Sequence, residues 1–175
     1  MLYSLFFLSY VWVVFDVMSK TEGLDHMLQD ATCDIFNEDF IEDCELEVVT
    51  TDESDDPCLQ FHLTSIKPIG DGCNFFATVT LTDGAGEEQD IGISTNATIS
   101  SILIQDNSFG KELRTLANFP QSQFPIPEGE YSNECHMVSD SLLPKMLQRG
   151  LYTMYCTLEC GNKPCFKISV TTEVM

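Results

Sequence analysis

Eight cysteines carry most of the covalent chemistry open to this chain: Cys33, Cys44, Cys58, Cys73, Cys135, Cys156, Cys160 and Cys165. An even number of thiols scattered over a short chain suits a disulfide framework, which persists in oxidising compartments. Zinc prefers ligands in paired knuckles. Here Cys160 and Cys165 flank Gly161-Asn162-Lys163-Pro164, no paired C-x-x-C knuckle occurs, and His26, His62 and His136 are dispersed. No metal and no cofactor is expected. Nucleophilic catalysis finds little support either. Ser139-Asp140-Ser141 lies near His136 but has no G-x-S-x-G setting. Carboxylates are so abundant that a glycosidase-like pair arises by chance. Asp52 to Pro57 (DESDDP) lacks the ordered spacing of a calcium loop and reads as a solvated turn. Asp83-Gly84-Ala85-Gly86 is a turn without a phosphate-binding lysine. The chain reads as a non-catalytic protein. Asn96-Ala97-Thr98 is its one glycosylation sequon, which makes Asn96 a candidate glycan site.

Charge narrows the partners. Twenty-eight acidic residues against eight basic ones leave a net charge of −20. Such a chain repels nucleic acid and, at neutral pH, anionic membranes. Near pH ~4.5 many of its carboxylates approach half protonation, which would relax the repulsion from anionic lipid. At the N-terminus, Leu5 to Phe15 (LFFLSYVWVVF) is apolar but shorter than the roughly 20 residues of a membrane span. Residues 1–19 read as a secretory signal, with cleavage between Met18 and Gly23. The competing reading is a buried N-terminal strand or an uncleaved anchor. The rest is long enough for one domain, set at 33–175, in a secreted or lysosomal protein.

Positioning elements follow from periodicity. Lys20 to Thr32 is polar and reads as a loose lead-in. Glu45 to Thr50 suits a first strand. Leu59 to Ile66 alternates, with Leu59, Phe61 and Leu63 on one face and His62 on the other. Cys73 to Thr82 puts Phe75, Ala77, Val79 and Leu81 inward and leaves the large Phe76 on the opposite face. Ile91 and Ile93 mark a short strand near Asp90 to Ser94. Thr98 to Ala117 suits helical turns as well as strand: Ile99, Ile102 and Leu103 form one apolar set, and Phe109, Leu113 and Leu116 another. Leu151 to Cys160 and Cys165 to Val174 form a terminal antiparallel hairpin. Short strands with frequent turns predict an all-β, disulfide-stapled fold, a two-sheet sandwich or cup of immunoglobulin-like type.

The stretch from Phe119 to Leu147 is the most distinctive. Leu113-Arg114-Thr115 leads through a Pro-rich segment to Phe124-Pro125-Ile126-Pro127-Glu128-Gly129-Glu130-Tyr131-Ser132. Leu143-Pro144-Lys145-Met146-Leu147, Gly150-Leu151-Tyr152 and Cys165-Phe166-Lys167-Ile168 follow in order. This series resembles the ganglioside activator branch of the lipid-recognition (ML domain) family, over roughly Leu113 to Val170. The Pro-Cys-x-Cys-Pro cluster of that branch is replaced here by Pro120-Gln121-Ser122-Gln123-Phe124-Pro125. The resemblance implies a two-sheet β-cup whose apolar cavity holds acyl chains. It also implies a non-catalytic role: lifting lipid from a transiently contacted membrane and presenting it to a lysosomal glycosidase. Glycosphingolipid, phospholipid and sterol all remain open as ligands. A first-to-last bridge between Cys33 and Cys165 is implied as well. The rival bridge Cys160–Cys165 stays open.

On that reading the cavity walls are Phe61, Leu63, Phe75, Val79, Tyr152, Met154, Ile168 and Val170, with Leu142, Leu143, Met146 and Leu147 at the rim. Lys145 sits within the rim, able to meet an anionic headgroup. The alternative is that the wall residues close on one another as a filled core. The protein would then be an extracellular, disulfide-rich recognition or immune-type protein with no lipid inside.

Overall fold

A computed structural model describes residues 26–51, 54–104, 108–120, 123–138 and 148–175. Among the described residues, eight strands and two short helices follow one another as β1 (His26–Ile35), β2 (Ile41–Thr51), β3 (Ser54–Ser65), β4 (Cys73–Thr82), β5 (Glu88–Thr98), α1 (Ile99–Ile104), α2 (Ser108–Leu116), β6 (Gly129–His136), β7 (Gly150–Cys160) and β8 (Lys163–Val174). They form two antiparallel sheets, one of five strands in the order β1-β8-β7-β4-β5 and one of three in the order β2-β3-β6. The all-β expectation holds at this level. The signal segment lies outside the described residues.

Alternation of side chains builds the interior. Leu46 on β2 and Phe61 and Leu63 on β3 meet Phe75 and Ala77 on β4, Leu158 on β7 and Ile168 and Val170 on β8 in one buried cluster. Their polar neighbours face out, as period-two strands require. His62 lies on the outward face between Asp43 (3.6 Å) and Glu130 (3.8 Å). Gly161 and Asn162 both have positive φ, near 61° and 62°. That pair makes a two-residue turn whose twist matches the flanking strands β7 and β8.

Two expectations are corrected. The supposed lead-in Lys20 to Thr32 contains the start of β1, and the supposed loop Asp52 to Pro57 contains the start of β3. In β1, a register shift between Leu28 and Asp30 breaks the alternation that would have marked a strand.

Disulfides join Cys33 to Cys44, Cys58 to Cys135 and Cys73 to Cys160. The implied Cys33–Cys165 bridge is therefore replaced, and so is the rival Cys160–Cys165. Register explains both outcomes. On β8, Cys33 stands opposite Ile168, three residues from Cys165, or about 10 Å along a strand. A disulfide needs Cα atoms within about 7 Å. Cys44, on the facing sheet, lies 5.9 Å from Cys33. Cys160 is directly opposite Cys73 on the adjacent strand, at 4.1 Å.

Cys156 and Cys165 remain as buried free thiols. Burial pushes the Cys156 thiol up from 9.0 to about 12, because the apolar interior disfavours the thiolate. Burial also raises Cys165. At pH 8 the native protein is expected to resist iodoacetamide, and denaturation should release two reactive thiols per chain; a native thiol reacting within minutes would contradict this burial. Linkage gives the matching pH effect. The folded thiol holds its proton above the pH at which the unfolded thiol loses it, so this contribution is complete below pH ~9 and declines as pH rises toward 12.

Candidate functional site

On one side the two sheets are joined by the β1–β2 connection and the Cys33–Cys44 bridge. On the other, α1 and α2 fill the space between them. Six residues are too few for a helix to be stable alone, so α1 depends on burying Ile99, Ile102 and Leu103. Thr98 caps it, its Oγ1 accepting from the Ser101 N–H at 3.3 Å. In α2, Leu113 and Leu116 point inward and Phe109 packs at 5.5 Å against Phe75. Just past the end of the helix, Asn118 has φ 51°. There the Phe119 N–H donates to Arg114 O and the Asn118 N–H to Thr115 O. This left-handed cap turns Phe119 back beside Leu113.

An apolar cavity lies between these layers. Phe61 of β3, Phe75 of β4, Leu158 of β7 and Phe166 and Ile168 of β8 supply the sheet side. Ile99 and Leu103 of α1, Leu113 and Leu116 of α2, and Ala117 and Phe119 beyond it supply the helical side, with Ile69 completing the lining. The cavity volume is about 40 Å³, a few times what one water needs. No lining residue is charged, so the space favours hydrocarbon over water.

One end of this region is fixed by the Pro-rich stretch. Ile126 and Ile69 exchange both backbone hydrogen bonds at 2.9 Å, and both side chains are fully buried. A Cβ on Gly70 would lie 2.8 Å from Pro125 Cβ, so glycine permits this close approach. Phe119 stacks edge-on against Tyr131 at 4.9 Å, and Tyr131 Oη donates to Pro127 O at 2.7 Å.

Arg114 holds the helical wall together. Its Nε donates to Leu103 O at 2.9 Å and its Nη1 to Pro120 O at 2.7 Å. Partial burial lowers its pKa, and it remains a cation. On the other flank, His136 Nε2 meets Glu112 Oε2 at 2.7 Å and Asn133 Nδ2 donates to Thr115 O at 2.8 Å, fastening α2 to β6. Arg114→Met is expected to cost about 1–3 kcal/mol, because two partly buried carbonyls lose their donors. Arg114→Lys should recover only part of this, since an ammonium lacks the guanidinium fork. Urea unfolding of both variants provides the check; equal stability of Met, Lys and wild type would dismiss the clamp.

Of the wall residues expected from sequence, Phe61, Phe75 and Ile168 line the cavity. Leu63 and Val170 are buried in the same core without lining it, and Met154 packs against that core. Val79 and Tyr152 belong to a second, smaller cluster with Leu81, Ile91, Ile93 and Val174. This cluster lies farther along the inner face of the five-stranded sheet. It adjoins the main core through the cross-strand pair Val79–Met154. Only Tyr152 and Val174 of this cluster are fully buried. The expected rim, Leu142, Leu143, Met146 and Leu147, lies outside the described residues, as do Lys145 and Ser139 to Ser141. The flanking residues are described: Tyr152 Oη donates to Gln148 O at 2.9 Å, close to that second cluster. Sequence reasoning missed the other nine as lining residues: Ile69, Leu158 and Phe166 on the sheet side, and Ile99, Leu103, Leu113, Leu116, Ala117 and Phe119 on the helical side. For the helices, the paired apolar spacing of Ile99/Leu103 and Leu113/Leu116 was the usable signal.

Among the described residues, no group of three or more His, Cys, Asp or Glu is arranged to hold a metal ion. Among them, too, no helix is long and apolar enough to cross a membrane. Asn96 is exposed on the edge strand β5. Comparison with protein-family models and with curated proteins finds no match for this chain.

Proposed function

We propose that this protein is a secreted or lysosomal lipid-binding protein, an immunoglobulin-like β-cup that takes acyl chains between its sheets and carries or presents them. The observation that carries this reading is the cavity walled only by apolar side chains from both sheets and the helix pair. Segments that resemble the ML family contribute to it: Arg114 braces the helical wall, and Phe124 to Tyr131 fix one end. Each methylene moved from water into such a site contributes about 0.8 kcal/mol. The cavity of about 40 Å³ accommodates only part of a chain. The remainder would run along the half-exposed inner face at Val79, Leu81 and Met154. Glycosphingolipid, phospholipid and sterol share the required apolar body. A membrane is the donor surface, and a lysosomal glycosidase is the recipient suggested by the family resemblance.

One observation favours the other reading, a disulfide-stapled recognition protein with a filled interior. Ligand pockets commonly span 300–1,000 Å³, and the described cavity is far smaller. Native mass spectrometry of protein purified gently from animal-cell medium separates the two. Lipid binding predicts a co-purifying adduct of lipid mass that re-forms after extraction and incubation with phosphatidylcholine vesicles. A protein that is empty as purified and stays empty after incubation would overturn the proposal.

A further inference from the structure

Phe76 is out of place on the outer face of the five-stranded sheet. Its neighbours on β4, Phe75 and Ala77, are buried in the core, but Phe76 points the other way and packs against neither apolar cluster. Water meets part of its ring, since the residue is only half-buried. Its direct cross-strand partner on β5 is Asn96, the acceptor of the sequon. Residues so paired share a face of the sheet, with Cβ atoms roughly 4.5–5.5 Å apart. The Asn96 side chain is exposed there.

We propose that Asn96 carries an N-linked glycan whose first N-acetylglucosamine lies across the Phe76 ring. A pyranose has an apolar face of C–H groups as well as its hydroxyls. Covering the ring with that face removes aromatic surface from water while the hydroxyls stay solvated. The platform thus belongs to this chain's own modification.

Position in the sheet gives the glycan a second effect. β5 is the outer strand of the five-stranded sheet, so among the described residues one row of its backbone groups has no strand neighbour. Edge strands avoid pairing with other chains through charges, bulges or a cover. The first half of β5 has the first two devices: Glu88 and Asp90, and the register shift beside Gly92, whose φ is 76°. The second half, Ser94 to Thr98, contains no charged residue. The glycan stands in the middle of that half and shields it.

The inference is independent of what fills the cavity, and it rests on passage through the secretory pathway. The test is a double-mutant cycle on the full chain expressed in animal cells. Peptide mass mapping should find hexosamine on Asn96. Asn96→Gln should lower the melting temperature by roughly 2–4 °C. In a Phe76→Thr background the same change should have no effect. Trimming the wild-type glycan to its first sugar should preserve the stabilisation. Phe76→Leu, which keeps apolar bulk without a ring, repeats the cycle should Phe76→Thr fail to fold. An unmodified Asn96, or a glycan effect of the same size with and without the ring, would overturn the proposal.

Discussion

Replacing Cys73 and Cys160 together by alanine is expected to lower the melting temperature by roughly 10 °C, more than removing the short-loop bridge Cys33–Cys44. The reason lies in the unfolded chain. The two cysteines are 87 residues apart, and in the loop-entropy model a closure of that length contributes about 4.5 kcal/mol. Cys58–Cys135 spans 77 residues and overlaps the same region, so the unfolded double variant stays partly constrained. The realised loss should therefore be smaller, about 3–4 kcal/mol, and each kcal/mol corresponds to roughly 2–4 °C for a domain of this size. Alanine is the appropriate replacement because Cys73 and Cys160 are 2% and 8% exposed; serine would add buried hydroxyls. Cys33–Cys44, with a separation of 11, should matter less, about 3 kcal/mol at most. Thermal scans of the two double variants without reductant make the comparison. A larger loss from the short loop would show that holding the two sheets together outweighs loop closure.

This ranking was out of reach from sequence, and the reason is general. A cysteine's partner depends on which strands become neighbours and in what register. Cys33 and Cys165 do lie on adjacent strands, β1 and β8, but three residues out of step. What sequence did convey was local. Cys73 to Thr82 matches β4 end to end, because Phe75, Ala77 and Val79 alternate with Phe76 and Thr78. The hairpin of β7 and β8 was equally clear, with Gly161-Asn162 supplying a turn that needs two positive φ angles. β1 escaped notice because its apolar residues do not keep one alternating phase: Leu28 is out of step with Ala31, Cys33 and Ile35, and Gln29 falls at the register shift between them. The cavity was half legible. Strand alternation identified Phe61, Phe75 and Ile168 as facing inward. It could not say that helices would wedge between the sheets and bring Leu113, Leu116 and Phe119 over them. Phe76 looked anomalous in the linear pattern. Only the β4–β5 register places Asn96 beside it.

Filling the cavity is expected to reduce lipid binding at least tenfold with little loss of fold, and Ala117→Leu is the sharpest way to do it. Ala117 follows α2, is 5% exposed, and lines the cavity beside Leu113, Leu116 and Phe119. A leucine there adds three carbons directed into open apolar space. Overpacking a tight core costs about 1–3 kcal/mol. Here about 40 Å³ is already open, so the penalty should be at most ~1 kcal/mol and could reverse in sign. A ligand chain competes for the same space. Excluding two methylenes removes about 1.6 kcal/mol at 0.8 kcal/mol each, and 1.4 kcal/mol is a factor of ten in affinity. The opposite variant, Leu116→Ala, enlarges the cavity and should destabilise the protein by about 2–5 kcal/mol. It should also retain or tighten binding of a long-chain probe, because space is gained where protein contacts are lost. Titration with a fluorescent phosphatidylcholine, beside urea unfolding of the same samples, reads both axes. If binding tracks stability across the pair, the probe is meeting an unfolding surface. If Ala117→Leu is the more stable variant and the poorer binder, the cavity is the site.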